Sequence, residues 1–151
     1  MKIDLRKATT SNIADVCKMH QQSWFEAFGS DCMYPENALD KWNNELQKAD
    51  SLTFIAFFDD GIAGYLHLTA TGECPEISDL YVIPAARRRG VASLLLEEVL
   101  CQFRNLTLWV SESNAPAIAL YGSKGFQPTG KGKKDPRARK TDKKIELIFS
   151  K

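Results

Sequence analysis

The chain has 151 residues, 44% of them hydrophobic and 10% aromatic, with a formal net charge of +1 at pH 7. That length favours one domain, residues 1–151, around a single core, and the composition excludes a disordered chain. The near-balance of charge excludes the strongly basic or acidic surplus that would by itself name a polyanionic or polycationic partner.

The alternation in "MKIDLRK" predicts a first strand, and Thr9 or Thr10 can cap the helix that follows. In that helix Ile13, Val16, Cys17, His20 and Trp24 recur at helical spacing. "GSDCMYPENAL" breaks it, and a second short helix is expected over 35–48. Two apolar runs around Asp59-Asp60-Gly61 predict a hairpin. "PEISDLYVI" reads as the next strand, ended by Pro84, and a helix is expected over 88–103. "NLTLWVS" is a strand. "SNAPAIALYGSKG" is a short helix with Asn114 near its start and Gly125 just past its end. "FQPTGKG" and "KKIELIFS" are the last two strands, around a basic loop. The order β-α-α-β-β-β-α-β-α-β-β predicts a mixed α/β (α+β) fold, one sheet with helices on both faces.

Charge is unevenly spread along this order. Residues 1–60 hold ten acids and six bases, and residues 129–144 hold eight bases and two acids. The basic run, 131–144 at its densest, has three readings: a solvated hairpin, a contact to coenzyme phosphates, or a contact to an acidic partner such as nucleic acid. The last ranks lowest, because the run has no aromatic stacking platform. Cys17, Cys32, Cys74 and Cys101 form no C-x-x-C pair, and only His20 and His67 could join them as ligands. Reduced, mostly buried thiols and no metal are the expectation. The N-terminus has no apolar leader segment, and no run approaches the roughly 20 apolar residues of a membrane span. A soluble, cytoplasmic protein is expected.

Arg87, Arg88 and Arg89 pose a problem. A helix N-terminus already carries roughly half a positive charge, so cations there repel it. An anion would reverse the sign of the problem. The first N–H groups of a helix lack intrahelical partners, Gly90 lets a ligand approach without a Cβ in the way, and the guanidinium groups add charge. A solvated charge run is the plain alternative. No G-K-[ST] is present and no G-x-G-x-x-G, so neither a Walker A loop nor a dinucleotide fold is indicated.

R-x-x-G-x-A at Arg87, Gly90 and Ala92, preceded by "LYVIP", resembles the acyl-CoA motif of the GNAT superfamily of N-acetyltransferases. The element order is also similar to that family's. The resemblance implies a pyrophosphate cradle at Arg88, Arg89, Gly90, Val91, Ala92 and Ser93, opened by Arg87. It implies backbone hydrogen bonds from Leu80, Tyr81 and Val82 to the pantetheine arm of acetyl-CoA. It further implies that Asn114 contacts the coenzyme and that Tyr121 protonates the departing thiolate. A phenol of pKa about 10 suits that step. A core tyrosine and a plain N-cap are the bland readings of Tyr121 and Asn114.

An amine acceptor is an ammonium near neutral pH and must lose a proton before it attacks. Glu76 and Asp79 lie on the strand leading to the turn, and their parity predicts opposite faces. Some family members carry a catalytic Glu at the position of Glu76, and others use that of Ser78. Glu76 is the preferred base, with Glu26, Asp31, His67 and Glu73 as further candidates. Trp24, Phe25, Phe28, Tyr34 and Trp42 could wall an acceptor cleft, with core packing the better expectation for Trp24 and Phe28. The expected activity is acetyl transfer from acetyl-CoA to a primary amine of a small molecule or protein, by direct attack in a ternary complex. The alternative is a non-catalytic acyl-CoA sensor or interaction module. No membrane partner is expected, and a homodimer is among the states that the resemblance allows.

Overall fold

A computed structural model describes residues 2–69, 74–134 and 143–151. Glu73 and residues 135–142 of the basic run lie outside the described residues.

The elements are β1 (Ile3–Lys7), α1 (Ile13–Phe28), α2 (Ala38–Gln47), β2 (Leu52–Phe58), β3 (Gly61–Thr69), β4 (Glu76–Val82), α3 (Val91–Leu100), β5 (Asn105–Ser111), α4 (Ala115–Ser123), β6 (Gln127–Lys134) and β7 (Lys143–Ser150). This is the expected order. The strands form a seven-stranded sheet in the order β1-β2-β3-β4-β5-β7-β6. Among the described residues only β4 and β5 run parallel; every other neighbouring pair is antiparallel.

Strand alternation divides the core between the two faces. Phe54, Leu66, Leu68, Leu106 and Leu108 pack with Val91, Leu95, Leu96 and Val99 of α3. Ile55, Tyr65 and Tyr81 pack on the other face with Val16 and Met19 of α1 and Trp42 of α2. Leu95 and Leu96 are fully buried, each contributing about 1.5–3 kcal/mol through removal of its side chain from water. The β2–β3 hairpin turns at Asp59 and Asp60, both at positive φ (48° and 69°). That backbone matches the strand twist.

Three local features differ from expectation. The helix after β4 begins at Val91, not at 88, because Arg88 (φ 62°) and Gly90 (φ 83°) are both left-handed. The arginines therefore stand in the turn before the helix. Second, β4 carries a bulge. His67 opposes Asp79, but Leu68 opposes Ile77, which leaves Ser78 as the extra residue. The Ser78 hydroxyl bonds that of Thr69 at 2.8 Å. Glu76 opposes Thr69 and Asp79 opposes His67. Thr69 and His67 share a face of β3, so Glu76 and Asp79 share a face too, contrary to their parity in sequence. Third, of the free cysteines only Cys17 is buried; Cys32 is partly exposed, and Cys74 and Cys101 are exposed. Cys101 caps the C-terminus of α3 and Cys74 lies just before β4, both at the surface.

Among the described residues no helix is long and apolar enough to cross a membrane, and no three His, Cys, Asp or Glu side chains converge as metal ligands.

Candidate active site

The parallel strands β4 and β5 pair only at Glu76–Thr107 and Ile77–Leu108. Beyond those two pairs they part, and a cavity of about 610 Å³ fills the gap. Its strand walls include Ser78, Asp79 and Leu80 of β4 and Trp109 and Ser111 of β5. Ser23, Ala27 and Phe28 of α1 close it on one face of the sheet. Asn114, Ala117 and Tyr121 close it on the other, and Lys143 and Lys144 stand at its edge. The cavity therefore passes through the sheet. Two molecules approaching from opposite faces could meet in it.

Tyr121 is 9% exposed and lines this space. Burial pushes its phenol up to about 12, so the proton stays on oxygen at neutral pH. Its ring packs edge-on against Phe126 at 5.7 Å. The Phe126 and Lys124 N–H groups both donate to its carbonyl, which anchors the residue at the end of α4. Asn114 caps α4, its Oδ1 accepting from the Ala117 N–H at 3.3 Å. It serves as cap and cavity wall together.

At the start of α3 the first helical bond runs from the Leu94 N–H to the Gly90 carbonyl. The N–H groups of Val91, Ala92 and Ser93 thus have no acceptor within the helix, and Gly90 offers no side-chain cap. A Cβ on Gly90 would meet nothing within 4 Å. The glycine answers to its left-handed backbone, and the space beside it is open. This arrangement fits a phosphate group. The arginines behave differently from one another. Arg87 is turned back into the protein: Nη2 donates to Glu26 at 2.7 Å and Nε to the Val82 carbonyl at 3.0 Å. The Tyr81 hydroxyl donates to the other Glu26 oxygen at 3.0 Å. Arg89 stands over the Phe58 ring, 5.3 Å from its centroid.

Not every expected residue reaches the cavity. Leu80 lines it, but Tyr81, Val82 and the start of α3 lie beyond its walls. Glu76 is also absent from the lining, whereas Asp79 belongs to it. Asp79 also lines a second cavity, of about 300 Å³, with His20, Lys41, Trp42, Glu45, His67 and Thr69. Glu26 is held by Tyr81 and Arg87, and Asp31 is exposed. His67 is 2% exposed, with Nδ1 bonded to the Thr53 hydroxyl at 2.6 Å and Nε2 to Glu45 at 3.1 Å. Burial lowers its pKa, partly offset by Glu45. Phe28 lines the larger cavity and Trp24 is partly exposed, packed edge-on against Phe28 at 5.1 Å; neither is a core residue. Trp42 is the buried one, at 8% exposed.

Sequence reasoning offers Lys143 and Lys144 only as part of the basic run, and names none of Ser23, Ala27 or Trp109 individually. The alternation along "NLTLWVS" puts Trp109 on the face opposite Leu108.

A family model described as "Acetyltransferase (GNAT) family" matches residues 13–126. Mycothiol acetyltransferase of Saccharomonospora viridis is 42% identical over 71 residues, 43% of this chain and 23% of its own length. Peptidyl-lysine N-acetyltransferase YjaB of Salmonella typhimurium is 33% identical over 76 residues, 50% of each chain. The chain spans half or less of the length of the curated relatives it matches. The PaiA N-acetyltransferase of Thermoplasma acidophilum, solved in complex with coenzyme A, superposes with a TM-score of 0.75 at 19% identity, with 100% of each chain covered. That likeness is one of fold.

Proposed function

The chain belongs to the GNAT acetyltransferase family, and on that premise we propose that it transfers the acetyl group of acetyl-CoA to a primary amine in a ternary complex. The observation that carries the reading is the cavity through the sheet, which brings Asp79 from one side and Tyr121 from the other into one space.

In this reading the free N–H groups of Val91, Ala92 and Ser93, with those of Arg88, Arg89 and Gly90, hold the pyrophosphate. Arg87 positions that turn through Glu26 and Val82. The β4 backbone at Leu80, Tyr81 and Val82 guides the pantetheine arm toward the gap, and Asn114 flanks it. The acceptor enters from the α1 face. Asp79, directly or through a water, takes one proton from the ammonium, and the neutral amine attacks the thioester carbonyl. Backbone N–H groups stabilise the oxyanion. As the C–N bond stays and the C–S bond breaks, Tyr121 gives its proton to the thiolate, and the amide nitrogen releases its second proton to solvent. Asp79 replaces Glu76 as the preferred base because it reaches the cavity.

Calorimetry with acetyl-CoA and thiol release across a panel of amines test this. Saturable binding with amine-dependent thiol release is expected. Absence of acetyl-CoA binding at physiological concentrations sinks the reading, and binding without turnover leaves a sensor.

A further inference from the structure

The edge of the cavity on the α1 side is basic. The β6–β7 ladder sets Lys133 opposite Lys144 and Lys134 opposite Lys143. Like charges directly opposed across a strand pair repel each other. Lys133 and Lys144 share one face of the ladder, and Lys134 and Lys143 share the other with Ile145 and Leu147. The Lys133 ammonium stands 4.2 Å from the centroid of the Trp109 ring, and Trp109, Lys143 and Lys144 all line the cavity. On β5, Ser111 opposes Lys144 and Trp109 opposes Glu146. Trp109 and Ser111 therefore share a face with Lys144, and it is the face opposite Leu108 and Val110, which pack with α3. Asp79 lies on the same side as Tyr81, against α1. Among the described residues of this ladder one acid shares that face, Glu146, which accepts from the Thr129 hydroxyl at 2.9 Å.

Lys133, Lys144 and the proposed base thus border the same entrance, while the pyrophosphate turn belongs to α3 on the opposite face. A polycation entering here meets repulsion. An amine that also carries an anion finds Asp79 for one group and the lysines for the other.

We infer that the acceptor is an amine bearing an anionic group, carboxylate or phosphate, which Lys133 and Lys144 receive while the amine faces Asp79. This rests on the acetyl-transfer reading above. A free amino acid-like molecule and an acidic peptide share this chemistry, and matched pairs separate them. Glycine is compared with glycinamide, phosphoethanolamine with ethanolamine, and a lysine peptide flanked by Glu with the same peptide flanked by Gln.

In at least one pair the anionic member should show a KM about tenfold lower, a difference of one well-made charged contact. Lys144→Glu and Lys133→Ala should pull that ratio toward one while acetyl-CoA affinity is kept. Equal KM values in all pairs, or a preference for spermidine, overturn the inference. So does a loss of acetyl-CoA affinity in the lysine variants, which would assign the ladder to the coenzyme phosphates. The same pairs are titrated calorimetrically into CoA-saturated protein, a readout that needs no turnover. If thiol release fails with every amine but the anionic members still bind more tightly, the catalytic reading falls and this inference stands. If they do not, both fall.

Discussion

Arg87, in the turn after β4, joins Glu26 of α1 at 2.7 Å. The same guanidinium donates to the Val82 carbonyl, and the same carboxylate accepts from the Tyr81 hydroxyl. This small network ties the helix on the proposed acceptor face to the loop that opens the proposed cosubstrate site. It also explains how an arginine next to a helix start is tolerated: its charge is directed away from the axis and met by a carboxylate.

Arg87 and Glu26 are about half exposed, at 46% and 44%, so their ion pair should add no more than about 1 kcal/mol to stability. Arg87→Ala is expected to leave the melting temperature nearly unchanged and to raise the acetyl-CoA Kd several-fold, because the turn loses its tether. Arg87→Lys should not rescue it, since an ammonium lacks the planar fork that serves Val82 and Glu26 at once. A large fall in melting temperature with unchanged Kd would assign the pair to stability instead.

Tyr121, its phenol raised to about 12 by burial, stays protonated across the working range. The kcat profile should rise as the base and amine lose protons and then hold level to about pH 10, with no alkaline limb from the proposed acid. Tyr121→Phe should lower kcat by about 10²-fold or more and leave acetyl-CoA affinity close to the parent value. An alkaline decline centred near pH 8 in the parent, absent in the variant, would contradict the assignment.

His67 is buried and its pKa is lowered, first by desolvation, against an opposing pull from Glu45. A histidine depressed in the fold is neutral there while the unfolded chain still titrates near about 6.5. Its contribution to stability is therefore complete above that value and is lost as pH falls through the folded pKa. Glu45 is held below the usual carboxylate range, because its bonds to Lys48 and His67 outweigh its burial, so it titrates in a more acidic window. Thermal melts should show a falling melting temperature from pH 7 to 5, and His67→Gln should flatten that slope. A slope unchanged in the variant would place the effect elsewhere.

Gly90 has φ +83° with open space around its missing Cβ. Gly90→Ala should cost about 1–2 kcal/mol through left-handed backbone strain alone. Relief of that strain by rotation of the turn would misdirect the N–H groups of α3, so the acetyl-CoA Kd should rise by about tenfold. Melting and calorimetry on one preparation check both, and wild-type affinity in the variant would count against the cradle.

Much of this architecture was legible in the chain. The element order follows from periodicity, from the Asn114 cap and from the Asp59-Asp60-Gly61 turn, all of which act over a few residues; neither Thr9 nor Thr10 caps α1, which starts after Asn12. The R-x-x-G-x-A segment pointed to an anion because the helix-start geometry it implies is local. Glu76 is favoured over Asp79 by resemblance alone, and strict alternation along β4 predicts the wrong relation between their faces. The extra residue at Ser78 is chosen by pairing with His67 and Leu68, and nothing within "EISDL" announces it.

What the sequence determined by itself, then, is what near neighbours decide: the elements, the two-faced alternation of β2 and β3, and a turn suited to phosphate. The tertiary structure alone decided the rest. The direction of the Arg87 side chain depends on a partner 61 positions away. The cavity exists because β4 and β5 pair at two positions and then part, and β7, arriving from the end of the chain, brings Lys144 to its entrance. These are contacts between segments distant in sequence, set by how the whole sheet satisfies its hydrogen bonds and buries its apolar faces, and no local pattern encodes them.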